Sequence, residues 1–346
     1  EYILIEELTG TTGSQLTLSI TKDGTKDYSF GDAKLESGAK LYIKGQDVAL
    51  SSVGKVLNQG LIAFDDAPAD APRSTTIAKS AFKNLYDGAQ GGVLYLGTTT
   101  NKALNTIVLS GDEAIDLTEY LGKNGAADGW FNVNQTAGDA SVTSPIVADG
   151  KLHVQGKGIL GSSYRDARLD LTVDDLTTKE DVLTVYSSLT AAKQLTLNNQ
   201  EVIVEDGGVF VVDNNLNGKN SVITTKRGGN TIVNSTRRGE TVFEGVFQTD
   251  NGGVSRLTLG YNGGTLPADA VNSLWTVTNE SNLTYLTLGR KGIAYFNPAG
   301  DIQRFVNKRA DPTDARNAIV SVSGDDPVHL HETAGISLAR GWNSLS

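Results

Sequence analysis

The sequence predicts an all-β chain folded as a parallel β-helix, a solenoid with short helical or loop decorations, and three observations support that fold class. Short strands alternate apolar and polar residues and close on Gly, Asn or Asp, the period-2 signature of half-buried strands bounded by turns. Near-identical pieces recur: Gln15-Leu16-Thr17-Leu18, Gln194-Leu195-Thr196-Leu197, Arg256-Leu257-Thr258-Leu259-Gly260 and Tyr285-Leu286-Thr287-Leu288-Gly289. Paired asparagines stand between strands at Asn198-Asn199 and Asn214-Asn215, where corners need the left-handed backbone that Asn tolerates.

The spacing from Leu257 to Leu286, 29 residues, suits one coil of a parallel β-helix that carries a loop. In such a stack Leu fills the interior and Thr hydroxyls line the outside. No fixed period covers the chain, so a multi-sheet β-sandwich or jelly-roll stays open as the alternative.

In chain order, strands are predicted around Leu16, Leu41-Tyr42-Ile43 and Leu94-Tyr95. The run resumes at Leu152-His153-Val154, Leu169 to Val173, Leu195, Val202, Phe210, Val242, Leu257, Leu286 and Val320. Three segments break the pattern. Ser74 to Tyr86 reads as an amphipathic helix capped by Ser74 or Thr75, with Ile77, Ala81 and Leu85 at i, i+4 and i+8. Lys179 to Ala192 fits a helix and a strand equally poorly, and Pro312 at the head of Asp311 to Asn317 suggests one helical turn. Residues 1–190 are less regular than 191–346, which places a weak boundary near 190.

Composition narrows the function. The chain of 346 residues has no Cys and no Met, 39 Gly, three His, and 30 Lys+Arg against 40 Asp+Glu for a net charge of −10. Without cysteine there is no disulfide framework, thiolate nucleophile or Cys-based metal site. The acidic balance argues against nucleic acid as a partner, and the short apolar runs against membrane insertion by this segment. A chain without methionine that opens on Glu1 is expected to be a processed piece of an exported protein.

The pieces Gly228-Gly229-Asn230-Thr231-Ile232-Val233-Asn234, Glu240-Thr241-Val242-Phe243-Glu244-Gly245-Val246-Phe247 and Arg256 to Gly260 resemble, in texture, the β-helical passenger domains of bacterial autotransporters and related exported adhesins. The pieces Gly38 to Ile43 and Asn58 to Phe64 are similar in manner. The resemblance covers half of the chain and carries no diagnostic motif. It implies an extracellular, cysteine-poor β-helix that presents loops to host or neighbouring cells. The Gly-Asp-Ser-Gly nucleophile motif of the protease-bearing branch is absent from the sequence.

Candidate chemistry is sparse. Asp213, Asn215 and Asn217, followed by Gly218, reproduce the first half of a calcium loop, with oxygen ligands at positions 1, 3 and 5 and glycine at 6. Position 12 is Thr224 in place of a bidentate Glu, so calcium, the one ion the sequence suggests, would be held weakly there. His329 and His331 share one strand face beside Asp325-Asp326, but two imidazoles are too few for a metal site. His153 reads as an outward strand residue. The adjacent carboxylates Asp65-Asp66, Asp174-Asp175 and Asp325-Asp326 are no dyads in themselves, because neighbours on a strand point to opposite faces. Lys226-Arg227 and Arg237-Arg238 would form a small positive stripe if stacked, although solvated turn charges are the plainer reading. The expected function is therefore noncatalytic: adhesion, cell–cell contact or self-association through a solenoid surface. The partner would be a surface receptor, a glycan or further copies of the chain. A self-assembling surface-layer, filament or viral-fibre subunit is the alternative, and a β-helical polysaccharide-degrading enzyme is a third reading.

Overall fold

The computed structural model describes residues 2–19, 26–45, 47–64, 72–89, 91–97, 105–120, 146–148, 150–165, 169–235, 240–250, 252–260, 268–270, 273–277, 281, 283–288, 292–296, 304–306, 319–322 and 335–337. The chain divides into two compact units, residues 1–159 with 166–173, and residues 160–165 with 174–346. This division falls earlier than residue 190. In each unit parallel strands stack as a β-solenoid, and parallel pairing throughout is incompatible with the sandwich alternative.

In the first unit, one flank stacks the strands Lys26–Leu35, Asp47–Val53, Arg73–Ala78, Asn105–Ser110 and Gly150–Leu160. Their register lines up Tyr28, Leu50, Ile77, Leu109 and Val154 as one buried column. A second flank stacks Gln15–Ser19, Lys40–Lys44, Leu61–Phe64 and Val93–Gly97, with Leu41, Ile62 and Leu94 inward. Between the flanks, one turn of the solenoid carries the helix Lys79–Asp87.

The helix begins five residues later than the sequence suggests. Ser74 to Ala78 form the end of the strand Arg73–Ala78, paired to Asp47–Leu50 on one side and to Asn105–Ser110 on the other. The β-branched run Thr75-Thr76-Ile77 favours that state, and two ladders outweigh an isolated capping signal. Ala81 and Leu85 do lie on the buried helix face, joined by Phe82. The backbone N–H of Asn58 donates to the Gly88 carbonyl at 2.7 Å, and Asn84 Nδ2 donates to the Val53 carbonyl at 2.8 Å. Phe82, Tyr86 and Tyr120 close the helix with edge-on ring contacts, Tyr86 to Tyr120 at 4.7 Å.

The second unit has three flanks per turn. Val182–Val185 and Glu201–Val204 open the first flank and Ser188–Asn198 and Val209–Asp213 the second, so 179–192 carries one strand, a corner and the start of the next strand, and no helix. Asn215–Thr225 bends at Asn220 and serves the third flank and the next first flank. Glu201 pairs with Val222, Val209 with Asn230 and Gln194 with Asn215, so a turn here is 21 residues. Leu183, Val202, Ile223 and Phe247 form one inward column, and Ala191, Val212, Val233, Leu257 and Leu286 another. The 29-residue spacing from Leu257 to Leu286 is one coil, since the two residues are direct register partners.

Two kinds of corner make this possible. At the first, the N–H groups of Gly208, Gly229 and Gly253 donate to the carbonyls of Glu205, Lys226 and Asp250, each at 2.9 Å. The third residues of these turns, Gly207, Gly228 and Gly252, have φ of +80°, +79° and +93°, which is type II geometry. The following glycine is required for another reason: a Cβ on Gly229 would stand 2.5 Å from the Val204 carbonyl oxygen of the turn below. At the other corners the left-handed residues are Asn199, Asn214 and Asn220, with φ of 54°, 69° and 49°. Asn220 Nδ2 donates to Asn199 Oδ1 at 3.1 Å, so successive corners are also tied by side chains.

Asp311 to Asn317, expected as a helical turn, lies outside the described residues.

Candidate interaction surface

Asp213, Asn215 and Asn217 occupy a corner and a strand. Asp213 ends the strand Val209–Asp213, Asn214 turns the chain, and Asn215 and Asn217 belong to the next strand opposite Gln194 and Thr196. Asp213 Oδ1 accepts a hydrogen bond from Asn234 Nδ2 at 3.1 Å, and Asn215 Nδ2 donates to Gln194 Oε1 at 3.0 Å. Asn217 is exposed. The first two side chains are therefore used along the stack, linking turn to turn. Among the described residues no group of three or more His, Asp or Glu gathers at one point.

The other candidates scatter. His153 sits half-exposed on its strand, opposite Val108. Asp174 is buried and accepts from Lys193 Nζ at 2.7 Å, while Asp175 beside it is half-exposed. The hydrogen bond and negative charge of Asp174 raise the pKa of Lys193. Lys226-Arg227 forms no positive stripe with its neighbours in the stack. The turn below carries Glu205-Asp206 and the turn above begins at Asp250, whose Oδ2 lies 2.9 Å from Lys226 Nζ. That hydrogen bond and charge raise the pKa of Lys226. Asp65-Asp66, Asp325-Asp326, His329, His331 and Arg237-Arg238 lie outside the described residues.

A surface emerges on the second flank of the second unit. Register places Val209, Asn230 and Val254 in one outward column, and Val211, Ile232, Arg256 and Tyr285 in the next. Val209, Val211, Ile232 and Val254 are half-exposed. The Arg256 guanidinium lies 4.2 Å from the centre of the Tyr285 ring, a cation–π stack at the end of the apolar strip. Asp213, Asn234 and Thr258 form a polar margin. Of this surface, the Arg256–Tyr285 pair supplies the two residue types that protein contacts favour.

Two buried charged residues, Arg73 and Lys79, escaped sequence reasoning. Lys79, 2% exposed, donates from Nζ to the carbonyls of Gly111, Glu113 and Lys157. Lys79 shares the buried helix face with Phe82 at i+3, a spacing that by itself names no partner for the ammonium.

The fold and this surface define a parallel β-solenoid protein. No known protein family, curated protein or solved structure matches the chain.

Proposed function

We propose that this chain is an extracellular, noncatalytic surface protein that acts in adhesion or self-association, in the manner of autotransporter passengers. The observation that carries the reading is the outward strip Val209, Val211, Ile232 and Val254 beside the Arg256–Tyr285 stack. A solenoid holds such a strip rigid, so binding costs little conformational entropy. Of the buried ionic groups, Lys79 and Asp174 are engaged in holding the fold, which suits a scaffold.

The test is light scattering after size exclusion, with and without calcium, combined with binding to cells and a glycan panel. Ile232→Lys should abolish association or cell binding while circular dichroism stays unchanged. Binding or assembly that is indifferent to Ile232→Lys and Arg256→Glu would overturn the reading. The calcium arm reads whether Asp213, Asn215 and Asn217 hold the ion.

The alternative, a self-assembling structural subunit, is favoured by the first turn of the solenoid. Leu16 stacks inward on Leu41 yet is 42% exposed, and the strands Tyr2–Gly10 and Gln15–Ser19 pair on one side only among the described residues. Ordered fibres or lattices that Leu16→Lys prevents and Ile232→Lys leaves intact would select this alternative.

A further inference from the structure

We propose that the carbonyl cage around Lys79 is a binding site for a primary ammonium group, filled in this protein by the chain's own side chain. The Lys79 Nζ donates to the carbonyl oxygens of Gly111 at 2.9 Å, Glu113 at 2.6 Å and Lys157 at 3.4 Å. An ammonium has three donors and no acceptor, and here three acceptors meet it. They come from two separate segments, the bend after Asn105–Ser110 and the strand Gly150–Leu160. Stacking brings them together, 32 to 78 residues away from Lys79 along the chain.

The site is shaped for a small cation. Gly111 and Gly156 have φ of +125° and +65°, a backbone that a side chain would strain. A Cβ on Gly156 would stand 3.1 Å from the Gly111 carbonyl oxygen and 3.5 Å from Nζ, so the wall is drawn close around the ammonium. Lys79 also stands at the first residue of its helix, where the helix dipole disfavours positive charge. The cage offsets that cost and ties the helix start to both segments. The first unit thereby carries an internal cation of its own. This inference is independent of the proposed function.

The experiment is thermal unfolding of the full chain. Lys79→Ala should lower the melting temperature by about 5 °C or more, since a buried cation bonded to several carbonyls is lost. Propylammonium chloride, which replaces the missing stem and head, should restore part of that loss with saturable dependence. Sodium and tetramethylammonium chloride at equal ionic strength should not, and the wild type should not respond. Equal recovery by all three salts, or no loss in the variant, overturns the proposal. If Lys79→Ala fails to fold, Lys79→Met keeps the stem without donors. Amide hydrogen exchange at 111–114 should then quicken relative to wild type, and unchanged exchange there overturns the proposal as well.

Discussion

The two units build the same kind of column from different amounts of chain. In the first, Tyr28 to Leu50, Leu50 to Ile77, Ile77 to Leu109 and Leu109 to Val154 span 22, 27, 32 and 45 residues. In the second, Leu183 to Val202, Val202 to Ile223 and Ile223 to Phe247 span 19, 21 and 24, and the coils lengthen only toward its end, with 29 from Leu257 to Leu286 and 34 from Leu286 to Val320. Loop closure grows only logarithmically with length, so long excursions cost little provided the column closes again. The units differ in emphasis. Both close turns on left-handed glycines, Gly13 and Gly38 in the first and Gly207, Gly228 and Gly252 in the second, and the second adds left-handed asparagines. Both also reach side chains back to carbonyls, as Asn58 does to Val93 and Asn84 to Val53 in the first and Gln200 to Thr178 and Asn214 to Ala192 in the second, but Lys79 of the first does so with a buried ammonium.

Glycine separates close stacking from backbone conformation, and both units use it for stacking, since a Cβ on Gly60 or Gly92 of the first would clash with the Ala39 or Asn58 carbonyl oxygen. In the second unit, a Cβ on Gly229 meets two backbone oxygens, of Val204 at 2.5 Å and of Glu205 at 3.0 Å, and neither can rotate away. Gly229→Ala should cost about 3 kcal/mol in urea unfolding, the upper range for overpacking. Gly13 in the first unit has φ of +78° but nothing within 4 Å of an added Cβ, so Gly13→Ala should cost about 1 kcal/mol of backbone strain alone. Equal costs would mean that close stacking of the turns contributes nothing.

Asparagine sharpens the same contrast at smaller size. Asn58 is fully buried, its Nδ2 donating to the Val93 carbonyl and its Oδ1 accepting from the Gly60 N–H. Asn58→Ala should cost about 2 kcal/mol, because both backbone groups lose their partner. Asn220 serves mainly through its left-handed backbone, so Asn220→Ala should cost about 1 kcal/mol while Asn220→Gly should stay within a few tenths. If Asn220→Gly were the more damaging, the side-chain bond to Asn199 would be the true corner tie.

What was legible in the sequence follows this division. Asn199 and Asn214 could be placed at corners because the left-handed preference is local, and the Leu-Thr-Leu repeat announced its own register at Arg256 and Tyr285. Asn220 plays the same part as Asn199 but lacked a neighbouring asparagine to mark it. Asp213 to Gly218 has the polar spacing of an ion loop, and the structure adds what spacing could not give, that the corner at Asn214 joins two strands there. The helix start was misplaced because the ladders that hold Ser74 to Ala78 come from residues 47–50 and 105–110. Lys79 had no local signature for its role, since its acceptors are backbone carbonyls that any sequence supplies.

Alkaline pH separates the units by mechanism. In the second, Lys193 and Lys226 have raised pKa values from their hydrogen bonds and charge pairing with Asp174 and Asp250. Their contribution is complete below the unfolded lysine value of about 10.4 and is lost as pH climbs through the higher folded values. Both ammoniums are solvent-accessible, 68% and 38% exposed, so the loss is small and salt should screen it. In the first unit, burial raises the pKa of Tyr28, whose hydroxyl has no hydrogen-bond partner among the described residues. The folded state keeps that proton while the unfolded chain releases it above about pH 10, so stability again falls with rising pH. This loss arises from desolvation and should not respond to salt. Melting curves from pH 9 to pH 11.5 should show a salt-insensitive decline that Tyr28→Phe removes, and a weaker salt-sensitive one that Lys193→Gln with Lys226→Gln removes. A decline that 1 M NaCl abolishes entirely would assign the alkaline sensitivity to the surface pairs of the second unit and take it from the buried phenol of the first.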